Sequence, residues 1–191
     1  MNQEQTEKSH SRPSALGEEN FPVITDYKNL LHFVDSQIAE LTHYYGEEIT
    51  CFKGCSSCCK VPRSVLPLEA DYLIENVQLD KESRDRVLKN AGESENCAFL
   101  VDDICSIYQH RPIICRTHGL PLLYFFDDRK QYSITHCDLN FKKWHGEFLA
   151  GTFLEMETIN EKLRQINSNS ENNSERVSLN DKTFIGKLSV I

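Results

Sequence analysis

No stretch of this 191-residue chain approaches the roughly 18 consecutive apolar residues that a membrane helix needs. The N-terminus, MNQEQTEKSHSRPSALGEEN, lacks the apolar run of a secretory signal. Lys and Arg form no cluster, and the net charge is −8. No nucleic acid is expected as a partner, because phosphate binding rests on concentrated positive charge. There is no Gly-rich phosphate loop, no G-x-S-x-G and no convincing serine or cysteine triad, so a catalytic residue cannot be named. What the chain does have is cysteine: eight, at positions 51, 55, 58, 59, 97, 105, 115 and 137. That share is too small for a disulfide-built mini-protein and too large to be incidental. With no export signal, the expected location is the cytoplasm, where clustered thiols more often hold metal than form disulfides.

Residues 1–20 are polar and without hydrophobic period, and read as a disordered leader. Tyr27, Leu30, Leu31, Val34, Ile38, Leu41 and Tyr45 then recur at helical steps, with Thr25 as the expected N-cap and Gly46 as the stop. Residues 51–59 form a loop. LEADYLIEN (68–76) reads as a short helix, and Asp80 caps another that runs to Ala91. CAFLV (97–101) and CSIY (105–108) read as short strands about an Asp102-Asp103 turn. Pro112 opens a short helix, IICR. PLLYFF (121–126) and QYSITHC (131–137) flank a turn at 127–130. Phe153, Met156, Ile159, Leu163 and Ile166 mark another amphipathic helix, over 152–166. NSNSENNS (167–174) reads as unstructured, and the terminal FIGKLSVI either returns as an edge strand or stays mobile.

Chemistry concentrates in CFKGCSSCC. The two-residue spacer of Cys55 and Cys58 lets both sulfurs turn onto one ion. The setting is not the βαβ pattern of a thioredoxin-like redox motif. Neighbouring residues in extended backbone face opposite ways, so either Cys58 or Cys59 turns away or the cluster feeds two sites. Cys115 is expected in the first turn of a helix, where the dipole and the flanking Arg111 and Arg116 favour thiolate. Zinc on four thiolates, or a four-iron cluster on four thiolates, carries about −2, and burying that charge calls for nearby donors or cations. His118 and His136 read as loop histidines or as groups near the metal, with at most one of His136 and Cys137 pointing inward. Glu69 reads as a helix-start carboxylate or as a partner of a nearby arginine. Tyr108 and Trp144 read as core.

In these elements the chain resembles the cysteine-cluster family of zinc- or iron-chelating proteins, the CxxCxxCC or YkgJ-like group. The matching elements are CFKGCSSCC (51–59), Glu69 after Pro67-Leu68, CAFL (97–100), CSIYQHRPIICR (105–116) and THCDLNF (135–141). The most specific is IYxxRPxxCR, matched by Ile107, Tyr108, Arg111, Pro112, Cys115 and Arg116. Cys51 and Cys55 are spaced C-x3-C, a departure from the C-x2-C of the family name. Flagellin-lysine methylase relatives of the family look like iron–sulfur enzymes that use S-adenosylmethionine. They are longer, and nothing in this chain reads as a methyl-donor pocket.

The expectation is a small single α+β domain over 21–166, with cysteine-rich metal-binding loops, short strands and flanking amphipathic helices, followed by a polar tail over 167–191. Its core is adequate without metal but not generous, so metal matters for folding. The expected function is cysteine-ligated binding of zinc or an iron–sulfur cluster. The alternatives are an enzyme using such a centre for redox or group transfer, and a metal-free interaction module. The metal ligands are expected among Cys55, Cys58, Cys59, Cys97, Cys105, Cys115 and Cys51. Cys55, Cys58, Cys105 and Cys115 lead for one centre, Cys59 and Cys97 come next, and Cys51 and Cys137 carry less weight.

Overall fold

The structure is a computed structural model that describes residues 26–51, 54–93, 95–126, 131–168 and 175–191. The leader at 1–20, the cap at Thr25, the turn at 127–130 and residues 169–174 of the polar stretch lie outside the described residues.

Helix α1 spans Tyr27–Tyr45, and its N-cap is Asp26, whose carboxylate accepts from the Asn29 N–H at 2.9 Å. It stops at Gly46, which takes φ 54°, a conformation that an L side chain resists. Its inward stripe is Tyr27, Leu30, Leu31, Val34, Leu41 and Tyr45. Strand β1 (Ser64–Val65) leads into α2 (Pro67–Asn76), with proline at the position where its missing N–H costs least. Next come β2 (Gln78–Leu79) and α3 (Lys81–Glu93), and Asp80 caps α3 by accepting from Ser83 N at 2.8 Å.

Strands β3 (Leu100–Val101) and β4 (Ile104–Cys105) pair antiparallel. Their turn puts Asp102 and Asp103 at φ 50° and 59°, the twist-matched arrangement of a two-residue hairpin. These strands are shorter than expected: Cys97 lies in a turn closed by Leu100 N on its carbonyl at 3.0 Å, and Tyr108 opens a 3₁₀ turn. Helix α4 (Ile113–Thr117) follows. Strands β5 (Leu122–Phe126) and β6 (Gln131–Thr135) pair antiparallel, and β7 (Leu154–Glu155) adds in parallel on the other side of β5. Helix α5 spans Met156–Ser168.

The chain after α5 corrects the expectation of a polar tail. Strand β8 (Val177–Ser178) pairs antiparallel with β1. Helix α6 (Lys182–Gly186) follows, capped by Asp181, and β9 (Ser189–Val190) runs parallel to β2. FIGKLSVI thus begins as the end of a short helix and closes as the strand that the sequence offered as one alternative. Leu179, Phe184, Ile185 and Leu188 are each 4% exposed or less. The physical reason is their spacing, which gives a short apolar face that a polar-looking composition conceals. Helix α5 also runs two residues past the limit expected at 166, and Asn167 Oδ1 accepts from Leu68 N at 3.2 Å, at the start of α2.

Two apolar clusters fill this α+β domain. One joins α1, Ile113, Leu120, Leu122, Phe141 and the inner face of α5. The other joins α2, Val87 of α3, Cys97–Phe99, Ile107 and the C-terminal return. Segments 54–65 and 97–120 together contribute to both clusters and carry six of the eight cysteines, with Cys51 and Cys137 outside them.

Candidate metal centre

All eight cysteines are free thiols. Five of them gather from three stretches of chain. Cys58 and Cys59 lie in a single 3₁₀ turn, Ser57–Cys59, with their sulfurs 3.9 Å apart. The Cys59 carbonyl accepts from Cys97 N at 2.8 Å, which docks the first cluster on the CAFL segment. Cys105 sits at the end of β4 beside them, and the Cys59 thiol hydrogen-bonds to it. Cys115 reaches the same group from α4 and feels Cys97, Cys59 and Cys58 electrostatically.

The acidities follow from this crowding. Cys58 is pushed up first by donating to Cys59 and then by burial, and Cys59 is pushed up by its bond to Cys105. Cys105 accepts and is lowered. Burial pushes Cys97 up to about 11 and Cys115 up to about 12. The expectation that a helix start and two arginines favour a Cys115 thiolate is therefore corrected. Helix α4 is too short for much dipole, and desolvation beside other thiols outweighs it. Of the two arginines, only Arg111 serves the sulfurs. It lies 3.8 Å over the Tyr108 ring, donates to the Cys115 carbonyl at 3.3 Å and favours ionisation of Cys58, Cys59 and Cys115. Arg116 turns to Asp35 of α1, at 2.8 Å. Arg63 is the second useful cation, donating to the Cys58 carbonyl at 3.3 Å.

A cavity of about 30 Å³ adjoins this group, lined by Cys51, Cys55, Ser57, Cys58, Tyr108, Arg111, His118 and Cys137. That is room for one water or one ion. Cys51 and Cys137, given less weight in the sequence, both reach it, and Tyr108 faces it rather than the core. His136 turns away onto Phe141 and Phe148, at ring distances of 4.9 and 5.6 Å. His118 is held below the ordinary histidine range by burial and then by Arg63.

Sequence reasoning missed Asn140 and Gly119. Asn140 is 1% exposed and reaches both Cys51 and Gly119, and its only signal was its place in THCDLNF. Glu69 is the expected helix-start carboxylate, in the first turn of α2, and it does more than that. It is 2% exposed and accepts from Tyr27 Oη at 3.2 Å, Leu66 N at 3.1 Å and Ile113 N at 3.1 Å. It thus ties α1, α2 and α4 together behind the thiols, and burial pushes its carboxyl above the ordinary range.

Among the described residues no three Cys, His, Asp or Glu side chains already converge as a set that could hold an ion. The thiols are turned to one another and to Asn140 instead. The donor chemistry nevertheless fits: clustered soft sulfur donors, two cations and backbone N–H groups on the sulfurs suit zinc or an iron–sulfur centre. No helix among the described residues is long and apolar enough to cross a membrane.

No curated protein and no solved structure matches the chain. Residues 50–138, just under half the chain and the stretch that holds all eight cysteines, match the model of the CxxCxxCC family, "Putative zinc- or iron-chelating domain", the family that the cysteine spacing and the IYxxRPxxCR element resemble.

Proposed function

We propose that this chain is a metal-binding protein in which cysteine thiolates hold zinc or an iron–sulfur cluster, seated chiefly on Cys59, Cys97, Cys105 and Cys115 with Cys58 beside them. The observation that carries this reading is the gathering of those thiols from three stretches of chain beside Arg63 and Arg111. Buried thiols that share protons with one another gain little by staying together unless something replaces those protons. A thiophilic metal does so, and the two guanidinium groups offset the net charge of about −2 that results. Zinc would supply a closed structural crosslink, and an iron–sulfur cluster would add one-electron chemistry. The residues themselves position the sulfurs, exclude water and balance charge. The proposed setting is a reducing cytoplasm, where free thiols persist.

Isolation under anaerobic, reducing conditions followed by elemental analysis tests this. Stoichiometric iron with a brown colour, or stoichiometric zinc without it, is the expected result. Less than a tenth of an equivalent of both metals together sinks the reading.

One observation favours a second reading, an enzyme that uses such a centre for redox or group-transfer chemistry. The cavity beside the sulfurs carries Tyr108, Arg111 and His118, polar groups that a substrate would need. A small molecule that co-purifies with the metal-loaded chain, and is lost in Arg111→Gln, would support it.

A further inference from the structure

We infer that the cavity thiols form a second metal site, separate from the buried one, which takes a thiophilic divalent cation on Cys51, Cys55 and Cys137 with Cys58 at the boundary. This rests on the reading above and extends it. The inner group, around buried Cys97, already supplies four thiols without the cavity residues, in Cys59, Cys97, Cys105 and Cys115, which meets the tetrahedral ligand count. Four thiols then remain, Cys51, Cys55, Cys58 and Cys137, and all four line one cavity large enough for an ion. His118 lines it too and offers a nitrogen donor.

The cavity is built rather than accidental. Cys51 is exposed, yet its sulfur is fixed from behind. Asn140 Nδ2 donates to Cys51 Sγ at 3.4 Å and to the Gly119 carbonyl at 2.6 Å. Asn140 Oδ1 in turn accepts from Thr50 N at 2.9 Å and Thr50 Oγ1 at 3.0 Å. An amide N–H on a sulfur is the kind of support that orients a thiolate ligand and moderates its charge. The backbone beside Asn140 is as specific. Gly119 has φ +105°, and a Cβ there would stand 2.8 Å from Cys51 Sγ. Only glycine leaves space for the sulfur.

The adjacent pair at 58 and 59 gains a reason in this arrangement. Cys59 packs against the second apolar cluster and bonds Cys105, while Cys58 lines the cavity. Arg111 serves both sides, as it lines the cavity and donates to the Cys115 carbonyl. The shifted C-x3-C spacing of Cys51 is then no defect of a single centre. It places that sulfur under Asn140 instead of among the buried four. Access differs as well, so the outer ion exchanges first.

The test uses the full-length chain, isolated anaerobically with a reducing agent and titrated with Cd²⁺, with bound metal counted by native mass spectrometry. Two separable centres per chain are expected, one of them stripped first by a mild chelator. Cys51→Ser and Cys137→Ser should each abolish the labile centre and leave the resistant one. Asn140→Asp keeps the acceptor for Thr50 but removes the N–H donor to sulfur, and should weaken only the labile centre, by about 10-fold or more. A single centre in the unmodified chain, lost in Cys105→Ser and untouched by Cys51→Ser and Cys137→Ser, overturns this inference and leaves the proposed function standing. Two centres that persist in both cavity variants overturn it as well. A chain that binds no metal overturns both.

Discussion

The two thiol groups are held in different ways. The buried set hangs on backbone: Cys97 N bonds the Cys59 carbonyl at 2.8 Å, Cys105 pairs with Leu100 in the β3–β4 hairpin, and Ser106 N bonds the Phe99 carbonyl at 2.9 Å. Phe99 beneath them is fully buried. In the cavity set, Cys51 hangs on one side chain, since Asn140 reaches across 90 positions to Thr50 and also holds that sulfur. A site built on backbone ladders stands or falls with its core. A site built on a single amide can be lost alone. Perturbations of the second apolar cluster should therefore strike the buried thiols, and perturbations near Asn140 only the outer ones.

The largest expected effect comes from removing residues 175–191. Leu179, Phe184, Ile185 and Leu188 would leave the second cluster, at about 2 kcal/mol each. Asn180 would also go, and it accepts from Ala98 N at 3.0 Å and donates to the Asn96 carbonyl at 2.7 Å, on both sides of Cys97. The combined loss, about 8 kcal/mol, is comparable with the whole stability of a domain this size. A chain ending at 174 should show no cooperative urea transition for this half and should lose the chelator-resistant metal. If it keeps both, the buried thiols do not depend on that core.

Next in size is metal removal. With free metal at about 1,000 times Kd, binding linkage contributes about 4 kcal/mol. For a chain of this length, that corresponds to a Tm drop of about 10 °C on exhaustive chelation. Cys115→Ser should reproduce most of the drop without chelator, and Cys137→Ser little of it. Equal drops in a differential scanning experiment would erase the distinction between the two groups.

How much of this was legible in the sequence follows the same division. Helical periodicity gave α1 and α5, and turn chemistry gave the β3–β4 hairpin, because these elements obey local rules. The motifs contain the thiols that gather, but their spacing put Cys55 and Cys58 ahead of Cys59 and Cys97. Of the C-terminal return only a terminal strand was anticipated, because its apolar residues are few and separated by polar ones, and become a core only against α2 and α3. Asn140 and Gly119 were missed for a related reason. Their roles exist only when residues 50, 119 and 140 meet, and no local pattern encodes that meeting. Glu69 was visible as a helix-start residue, but its three bonds come from three elements, so its burial was not.

Glu69 is also the next test, since it joins the helices of both clusters. Glu69→Ala would leave Leu66 N, Ile113 N and the Tyr27 hydroxyl without their acceptor, at a cost of about 3 kcal/mol or more. Glu69→Gln separates charge from bonding. Burial raises the folded carboxyl above its unfolded value, so its stabilising contribution is complete at acid pH and is lost as pH rises through the raised value. Relative to wild type, Glu69→Gln should therefore gain ground as pH rises, measured by urea unfolding from about pH 4.5 to about pH 8. A constant difference across that range would mean that the carboxylate's charge is not under strain.

The smallest expected effect separates the two arginines of the RPxxCR element. Arg111 lies among the sulfurs, whereas Arg116 spends its Nη1 on Asp35 at 2.8 Å and its other donors on the Arg111 and Gln109 carbonyls. Asp35 is about half exposed, at 47%, so water competes for the pair and its worth is below about 1 kcal/mol. Asp35→Asn should thus shift the urea midpoint slightly, more at low salt than at high salt, and leave metal content unchanged. Arg111→Gln should do the reverse, weakening metal by about 10-fold or more because a cation beside a buried negative centre has been removed. The two guanidinium groups lie five residues apart in one motif, and sequence alone treats them alike. If Asp35→Asn costs as much metal as Arg111→Gln, the thiols depend on how α4 is docked against α1, and Arg111 is not their counter-charge.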